Sequence, residues 1–334
     1  MQLRLFTLRT IAKAGTMVQL GYTLSSEEFR PRQMIAQAQR AEEIGFTYAL
    51  ISDHFHPWLD SQGQAPFVWS TLGGIAQATE RMVIGTGVTC PIIRVHPVIV
   101  AQAVATVADL LPGRFFFGVG TGEYLNEHVT GEHWPPISLR QKMLVEAVDI
   151  IRKLWEGDYT THYGEYFTVE NARLYTLPDE LPQIYVGASG PASAEMAGEI
   201  GEGLISTAPD AETVQAFEGA GGAGKPVYGQ MQVCWAQDEE QARKTALKFS
   251  GYSALPGQLS QELALPEYFE QATGLVTTDK IAEKVVCGPD PEKYLKQIDV
   301  YNEAGFTHVY LHQIGHDQEE FFQFAKQELL PKFQ

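Results

Sequence analysis

The chain has 334 residues and a mass of 37.0 kDa, enough for one large domain or two ordinary ones without disulfide support. Its 24 lysines and arginines against 41 aspartates and glutamates give a formal charge of −17. That charge argues against nucleic acid and anionic membrane surfaces as partners, because both require a basic face. Three scattered cysteines favour a reducing compartment, and no apolar run approaches the roughly 18 residues of a membrane span. We therefore expect a cytoplasmic globular protein.

Short apolar runs alternate with amphipathic segments from residue 18 onward, a pattern typical of βα units around a parallel sheet. Strands are predicted at residues 18–22, 48–52, 82–88, 114–120, 182–189, 203–206, 227–236 and 308–312. Helices are predicted at residues 30–44, 65–79, 96–110 and 139–155. The strands are almost continuously apolar, which indicates burial on both faces of the sheet.

Three helix-to-strand junctions share one pattern, in which a Glu-x pair is followed by Gly45, Gly201 or Gly305 and then by a strand. Glycine ends a helix readily because it adopts positive φ without strain. Together with about eight strands, these junctions predict a closed (β/α)8 TIM barrel, although open α/β sheets use the same junction. We expect residues 17–334 to form this one domain, after a loose extension over residues 1–16.

Three stretches interrupt the βα pattern. Residues 159–175 are predicted to form an inserted β-hairpin, and the glycine-rich residues 219–224 a flexible loop. Residues 250–278 contain two prolines and indicate a lid or excursion near the barrel mouth.

The most unusual stretch, Ser52 to Trp58, directly follows the second predicted strand. Active sites of barrels lie at the carboxyl ends of the strands, and a histidine there can take or give a proton near neutral pH. Asp53 and His54 are neighbours on extended chain, so they point to opposite sides. His54 and His56 also imitate the histidine pair of a metal-dependent barrel hydrolase.

Two glycine-rich segments follow other strands. Residues 118–127 place three glycines beside Glu123, which lets backbone pass close to a planar ligand, but their spacing does not match a dinucleotide-binding fingerprint. Residues 187–193 open a helix whose first N–H groups can bind phosphate. They lack the lysine of a P-loop, so nucleotide hydrolysis is not indicated.

The remaining cysteine and histidine patterns favour packing. Cys90 follows the third strand with no evident base to activate it, so we expect a small packing residue. His308, His312 and His316 recur at a helical metal-ligand spacing. However, residues 308–312 alternate like a buried strand, in which these histidines pack or line the barrel.

Six motifs together resemble the luciferase-like barrel enzymes, specifically the branch that uses the deazaflavin coenzyme F420. The motifs are SDHFHPW (52–58), GTGVTCPIIRVHP (85–97), LPGRFFFGVGTGEYLNE (111–127), LWEGD (154–158), GASGP (187–191) and HQIGHDQ (312–318). The chain is most similar to F420-dependent glucose-6-phosphate dehydrogenases, and two motifs also resemble F420-dependent secondary alcohol dehydrogenases. The resemblance covers the chain from about Met17.

This resemblance implies a homodimeric enzyme that transfers a hydride between a carbinol carbon and the deazaflavin. It makes His54 the base for the hydroxyl proton, Glu123 the proton partner of the reduced ring, and Trp58 a pocket wall with Glu27 nearby. It also implies a cis peptide bond between Gly87 and Val88. The implied cofactor contacts are Asp53, Val88, Cys90, Thr121, Gly122, Asn126, Ser189 and Gly190.

The chain departs from the sugar-phosphate enzymes where they hold the substrate phosphate. Thr207 is retained, but Asp210, Glu283 and Glu319 stand at the positions matched to cations. Carboxylates beside a bound dianion are unfavourable in a poorly hydrated pocket. We therefore expect a neutral alcohol, ketone or unphosphorylated polyol as substrate, rather than glucose 6-phosphate.

Three alternatives stay open from the sequence. An FMN-dependent monooxygenase of the same superfamily shares the fold and pocket. A metal-dependent hydrolase would use His54 and His56, but it needs further ligands that the later strand ends do not supply, so no metal site is expected. A non-catalytic binder is disfavoured because His54, Trp58 and Glu123 are all present.

Overall fold

Each apolar run that the sequence assigns to a strand forms one in the computed structural model, which describes residues 18–333. The expected extension over residues 1–16 lies outside these residues. The strands are β1 (Gln19–Leu24), β2 (Tyr48–Ile51), β3 (Val83–Thr86), β4 (Phe115–Val119), β5 (Thr160–Tyr163), β6 (Thr168–Ala172), β7 (Ile184–Gly187), β8 (Gly203–Ser206), β9 (Val227–Cys234), β10 (Val286–Cys287) and β11 (His308–Gln313).

Eight parallel strands close into a barrel in the order β1, β2, β3, β4, β7, β8, β9 and β11, with β11 pairing back to β1. The short β10 adds to the end of β9. The predicted (β/α)8 barrel is therefore confirmed. β5 and β6 form the antiparallel hairpin expected within residues 159–175.

The helices are α1 (Pro31–Ile44), α2 (Val68–Ala78), α3 (Pro97–Leu110), α4 (Tyr124–Glu127), α5 (Ile137–Trp155), α6 (Pro191–Ile200), α7 (Ala211–Phe217), α8 (Glu239–Ser250), α9 (Leu259–Glu262), α10 (Pro266–Thr273), α11 (Thr278–Ala282), α12 (Pro291–Glu303) and α13 (Gln318–Phe324). The longer helices pack around the outside of the barrel, whereas α4 and α10 lie in segments at its mouth. Within residues 18–333, no helix is long and apolar enough to cross a membrane.

Two helical segments differ from the sequence-based expectations. Residues 218–222, which overlap the expected flexible loop over 219–224, form a short helical segment after α7 that is kinked at Ala220 and Gly221. The excursion over residues 250–278 contains α9 and α10. Local glycine and proline content marks breaks in regular structure, but it does not reveal short helices that form by packing against a neighbour.

Glycine is needed at the three helix-to-strand junctions for two different reasons. Gly45 and Gly305 adopt positive φ, 117° and 97°, as expected for helix ends. Gly201 instead has φ −111°. A Cβ at Gly201 would lie 2.8 Å from the Val186 side chain and 2.9 Å from the Ala197 oxygen, so glycine is required there for space and not for conformation.

Substitution of Gly118 in β4 is expected to destabilise the protein strongly. A Cβ there would lie 1.8 Å from the Thr86 backbone oxygen on β3. We expect Gly118→Ala to lower the free energy of unfolding by about 1–3 kcal/mol or more, because neighbouring strands must separate. A Cβ at Gly73, within α2, would meet no atom within 4 Å. As the matched control, Gly73→Ala should raise stability by about 0.5–1 kcal/mol. Equal effects in urea unfolding would contradict this prediction.

Candidate active site

The loop after β1 and the end of β2 bring His54 and Glu27 together. His54 Nδ1 lies 3.4 Å from Glu27 Oε1, and Glu27 Oε2 accepts hydrogen bonds from the hydroxyls of Ser25 at 2.9 Å and Ser52 at 2.8 Å. Burial acts to raise the pKa of the Glu27 carboxyl, but His54 and Ser52 outweigh it, so this pKa lies below its ordinary value. A charged Glu27 therefore orients the His54 ring.

Aromatic rings cover this pair. The Trp58 ring centroid lies 5.1 Å from that of His54 and 4.8 Å from that of Tyr252, whose plane is only 9° from the Trp58 plane. Phe269 of α10 meets Trp58 edge-on at 5.3 Å. Tyr252 and Phe269 both belong to the excursion over residues 250–278. The excursion thus contributes to the barrel mouth, as the sequence predicted.

Asp53 has different partners from its neighbour His54. Its Oδ1 accepts a hydrogen bond from Arg94 Nη2 at 2.9 Å, and its Oδ2 accepts one from the Thr89 hydroxyl at 2.8 Å. The Arg94 Nε atom also lies 3.6 Å from Glu127 Oε1. One guanidinium therefore stands between two buried carboxylates. The Asp53 carboxylate, which the resemblance places at the cofactor, is thus held by Arg94 and Thr89.

The buried carboxyl of Glu127 is expected to make the free energy of unfolding depend on pH. Burial raises its pKa to about 7 against the opposing effect of Arg94. The neutral carboxyl is favoured in the fold, so its contribution is complete below the ordinary pKa of 4.5 and is lost as the pH rises to about 7. The unfolding free energy of the natural chain should therefore fall relative to Glu127→Gln over this range, by up to about 3 kcal/mol. Urea titrations at several pH values measure the difference, and a constant difference would contradict the assignment.

Asn126 of α4 ties together the segments after β2 and β4. Its Oδ1 accepts hydrogen bonds from the N–H groups of Phe55 at 2.8 Å and His56 at 3.1 Å. Its Nδ2 is buried without a hydrogen-bond partner among residues 18–333. A buried donor without a partner is costly, so this amide is available to a bound molecule.

Three glycines line the mouth at the ends of β3, β4 and β7. We call Gly87, Gly120 and Gly187 the glycine face. The Gly87–Val88 peptide bond is cis, as the resemblance implies. A Cβ at Gly120 would lie 2.6 Å from the Val88 side chain, and one at Gly187 would lie 3.4 Å from it. The missing side chains of Gly120 and Gly187 thus leave room for Val88, which packs against the backbone at the ends of β4 and β7.

The N-terminus of α6 adjoins the glycine face. Its N-cap residue, Gly190, makes no side-chain cap hydrogen bond, and a Cβ there would meet no atom within 4 Å. Ser189 is exposed beside it. The N–H groups of the first turn can therefore donate to an anion. Asn126 Nδ2 and this helix start together fit a cofactor that carries a phosphate.

The segment after β4 holds the other predicted contacts. Thr121, Gly122 and Glu123 are half-buried, and Gly122 has a φ of 75°. A Cβ at Gly122 would lie 2.7 Å from Cys90 Sγ, so the thiol packs directly against this segment. Burial raises the pKa of Cys90 well above its ordinary value, which leaves a neutral thiol in a packing role.

Two of the four residues predicted for the substrate pocket follow β8 at the mouth. Thr207 is exposed there. Asp210 caps α7, and its carboxylate accepts hydrogen bonds from the N–H groups of Glu212 at 3.1 Å and Thr213 at 3.3 Å. These bonds, led by one from the Thr213 hydroxyl, hold the pKa of Asp210 below its ordinary value. A carboxylate charge therefore persists at this corner.

Glu319 and Glu283, the other two residues predicted for the substrate pocket, do not lie with Thr207 and Asp210 at the mouth. Glu319 pairs with Arg40 of α1 at 2.7 Å, which places it on the outer helix layer because α13 packs against α1. Glu283 pairs with Lys280 at 2.5 Å at the exposed end of α11. The expectation that Glu319 lines the substrate pocket is thus corrected, and Glu283 is solvated.

His54 and His56 diverge instead of forming a metal-ligand pair. His56 Nδ1 lies 2.9 Å from the Leu125 oxygen, and its ring stacks on that of His128 at 5.7 Å. Within residues 18–333, no group of three or more histidine, cysteine, aspartate or glutamate side chains could hold a metal ion. The geometry therefore does not provide the ligand set of the hydrolase alternative.

Several residues of the site escaped sequence reasoning. Arg94 and Glu127 lie inside motifs that carry the resemblance, but their pairing joins segments 33 residues apart. Tyr252 and Phe269 come from an irregular stretch without periodicity. For Arg94 and Glu127, the available signal was a charged residue within an otherwise apolar motif. Such a residue must be paired if it is buried.

The geometry at the mouth agrees with the results of sequence comparison. The family model described as luciferase-like monooxygenase matches residues 10–308. The chain belongs to the luciferase-like family. An F420-dependent glucose-6-phosphate dehydrogenase from Microbacterium testaceum is 35% identical over 327 residues, which are 94% of this chain and 97% of that protein.

Solved structures of the luciferase-like fold agree with the observed barrel. An F420-dependent secondary alcohol dehydrogenase in complex with an F420-acetone adduct has a TM-score of 0.89 and 34% identity, covering 96% of this chain and all of the other. The oxygenating constituent of 3,6-diketocamphane monooxygenase from Pseudomonas putida, in complex with FMN, has a TM-score of 0.72 and 18% identity over 96% of this chain and 99% of the other. The second similarity concerns the fold alone.

Proposed function

We propose that the chain is an F420-dependent oxidoreductase that acts on CH–OH groups of a small substrate. The observation that carries this proposal is the His54–Glu27 contact of 3.4 Å at the barrel mouth. A histidine held by a charged carboxylate is suited to take a hydroxyl proton. The named F420-dependent relatives, at 34–35% identity over nearly the whole chain, support the choice of coenzyme.

The residues that would hold F420 are those of the glycine face, Asn126 and the start of α6. When bound, the deazaflavin supplies a two-electron hydride acceptor or donor. The backbone of the glycine face would receive the flat ring system, and the first turn of α6 would bind the phosphate. Asn126 Nδ2, which has no hydrogen-bond partner among residues 18–333, would donate a hydrogen bond to the cofactor.

His54 is the proton-transfer residue in this proposal. Its Nδ1 faces Glu27 and the His56 oxygen, at 3.4 Å and 3.3 Å, which leaves Nε2 to accept the proton of the substrate hydroxyl. Glu27 stabilises the imidazolium that results, since its carboxylate is charged. Trp58 and Tyr252 exclude water from the reacting oxygen. Glu123, half-buried after β4, would handle the proton on the cofactor side.

The proposed substrate is a neutral carbinol and not a sugar phosphate. Glu27 and Glu28 are both buried, at 5% and 3% exposure, and Asp210 remains charged at the end of β8. A phosphate dianion near these carboxylates would be repelled in a dry pocket. The chain is nonetheless similar to glucose-6-phosphate dehydrogenases, so this substrate requires a direct test.

Coenzyme titration followed by a substrate panel tests the proposal. The protein is mixed separately with F420 and FMN, and binding is followed by fluorescence. The F420 form is then assayed anaerobically with secondary alcohols, polyols and glucose 6-phosphate, by loss of the deazaflavin absorbance. We expect F420 binding and bleaching with neutral carbinols. Tight binding of FMN with substrate-dependent oxygen uptake would instead support the monooxygenase alternative, and efficient turnover of glucose 6-phosphate would overturn the neutral-substrate proposal.

A further inference from the structure

His312, which the sequence predicts to pack in or line the barrel, points into the barrel at its mouth. Tyr310 of β11 packs inside the barrel in one cluster with Tyr48 and Tyr228. Alternate residues of a strand share a face, so His312 lies on the same inner face, one layer nearer the carboxyl end of β11. Only 5% of the residue is exposed, so its ring is enclosed by protein.

Thr23 of β1 stands next to His312 on the inner face. The Tyr22 hydroxyl bonds to Gln318 at the start of α13, so Tyr22 points outward and its successor Thr23 points inward. Tyr22 is the register partner of Leu311, which places Thr23 beside His312. The inner surface of β1 and β11 is therefore polar, opposite the glycine face on β3, β4 and β7.

Glu28 completes this polar group from the loop after β1. Its Oε1 lies 3.5 Å from His312 Nε2, and its Oε2 accepts a hydrogen bond from the Gly315 N–H at 2.9 Å. The second bond fixes the carboxylate against the backbone that follows β11. We call Thr23, Glu28 and His312 the polar triad.

Several buried polar atoms of the triad make no hydrogen bond. Thr23 Oγ1, Glu28 Oε1 and both ring nitrogens of His312 are buried and have no hydrogen-bond partner among residues 18–333. Buried polar groups are nearly always paired, because each unmade bond costs free energy. Glu28 Oε1 and His312 Nε2 lie 3.5 Å apart as an ion pair, whereas Thr23 Oγ1 and His312 Nδ1 have no polar contact among residues 18–333. These two atoms, beside the loosely paired carboxylate, indicate a place for a polar ligand.

The polar triad adjoins the proposed proton-transfer pair. Glu28 directly follows Glu27, and successive Cα atoms are only about 3.8 Å apart. His54 Nδ1 lies 3.4 Å from Glu27 and His312 Nε2 lies 3.5 Å from Glu28, so each of the two consecutive carboxylates holds one imidazole. The polar triad and the His54–Glu27 pair therefore share one segment of the barrel mouth, the loop after β1.

We propose that the polar triad is a second hydroxyl-binding subsite, so that the substrate is a polyol with a hydroxyl adjacent to the reacting carbinol. This inference rests on the proposed function of His54. A hydroxyl can donate to Glu28 Oε1 while it accepts from His312 or Thr23, which uses the unpartnered atoms in both directions. An anionic group could not replace it, because Glu28 would repel it.

Two probes that differ by one hydroxyl test the subsite. The F420-loaded enzyme is assayed with 2-propanol and propane-1,2-diol, in the natural chain and in Thr23→Val and Glu28→Gln. We expect kcat/KM of the natural chain to favour the diol by about tenfold or more, since sites built for a hydroxyl reject analogues that lack it. Both variants should lose most of this preference while kcat/KM for 2-propanol changes little. His316→Phe, altered at a ring that packs between Phe29 and Phe249, should keep the preference.

A binding measurement separates this inference from the proposed function. In the protein without coenzyme, the diol should shift the ¹⁵N resonances of His312, and Glu28→Gln should weaken that effect. Diol binding without any F420-linked turnover would overturn the proposed function and leave the subsite intact. Turnover of both alcohols with no diol preference, or variants that lose both activities equally with an unchanged melting temperature, would overturn the subsite.

Discussion

His54→Ala is expected to lower kcat by about 10²–10⁴-fold, the usual contribution of a positioned acid–base group. Its removal leaves the substrate hydroxyl without the imidazole that accepts its proton, and leaves Glu27 without its partner ring. F420 affinity should change little, because the glycine face and α6 are untouched. Stopped-flow bleaching of the deazaflavin measures the first effect and a fluorescence titration the second.

The matched control is His133→Ala, a change at an exposed histidine in the segment before α5. This variant should retain the kcat of the natural chain. If His54→Ala also kept it, His54 would not be the proton-transfer residue. If instead coenzyme affinity collapsed with kcat, His54 would be part of the cofactor site.

Arg94→Met should lower the free energy of unfolding by about 3–5 kcal/mol, the typical effect of breaking a buried ion pair. Arg94 lies between Asp53 at 2.9 Å and Glu127 at 3.6 Å, and all three side chains are at least nine-tenths buried. Its loss leaves two carboxylates together without a cation. Guanidinium unfolding monitored by fluorescence measures the change.

Two further variants show whether charge is the cause. Glu127→Gln in the Arg94→Met background should recover part of the lost stability, since it removes one uncompensated charge. Arg81→Met, at an exposed pair with Glu80 of 3.7 Å, should change stability by less than about 1 kcal/mol. The absence of any recovery in the double variant would show that packing of the Arg94 side chain, and not its charge, stabilises this region.

The barrel was predictable because its signals are local. Apolar runs of strand length alternate with amphipathic helices, and short-range burial patterns identify both. Gly45 and Gly305 ended helices for the expected reason, whereas Gly201 did so only because Val186 and the Ala197 oxygen leave no room for a side chain. A contact between distant segments cannot be read from glycine at a junction.

In the candidate site too, local signals placed some residues correctly, whereas contacts between distant segments could not be predicted. The sequence placed His54, Trp58 and Glu123 at strand ends, where barrel chemistry occurs. It could not show that the Asp53 carboxylate binds Arg94, because the two residues are 41 positions apart. The resemblance also assigned Glu319 to the pocket, by matching it to a phosphate-binding cation of the sugar-phosphate enzymes, whereas α13 directs that side chain toward Arg40 on the outside.

By itself, the sequence determined the closed barrel, the family, and the positions of His54 and Glu123 just after strands, together with the acidic charge that disfavours anionic partners. Only the tertiary structure decided which carboxylates are paired, which are exposed and which lie buried without a partner. The reason is physical: periodicity and turn chemistry depend on near neighbours along the chain. The pairing of Arg94 with Asp53 and Glu127, and of His312 with Glu28 across 284 positions, depends on how the closed barrel brings distant strand ends together.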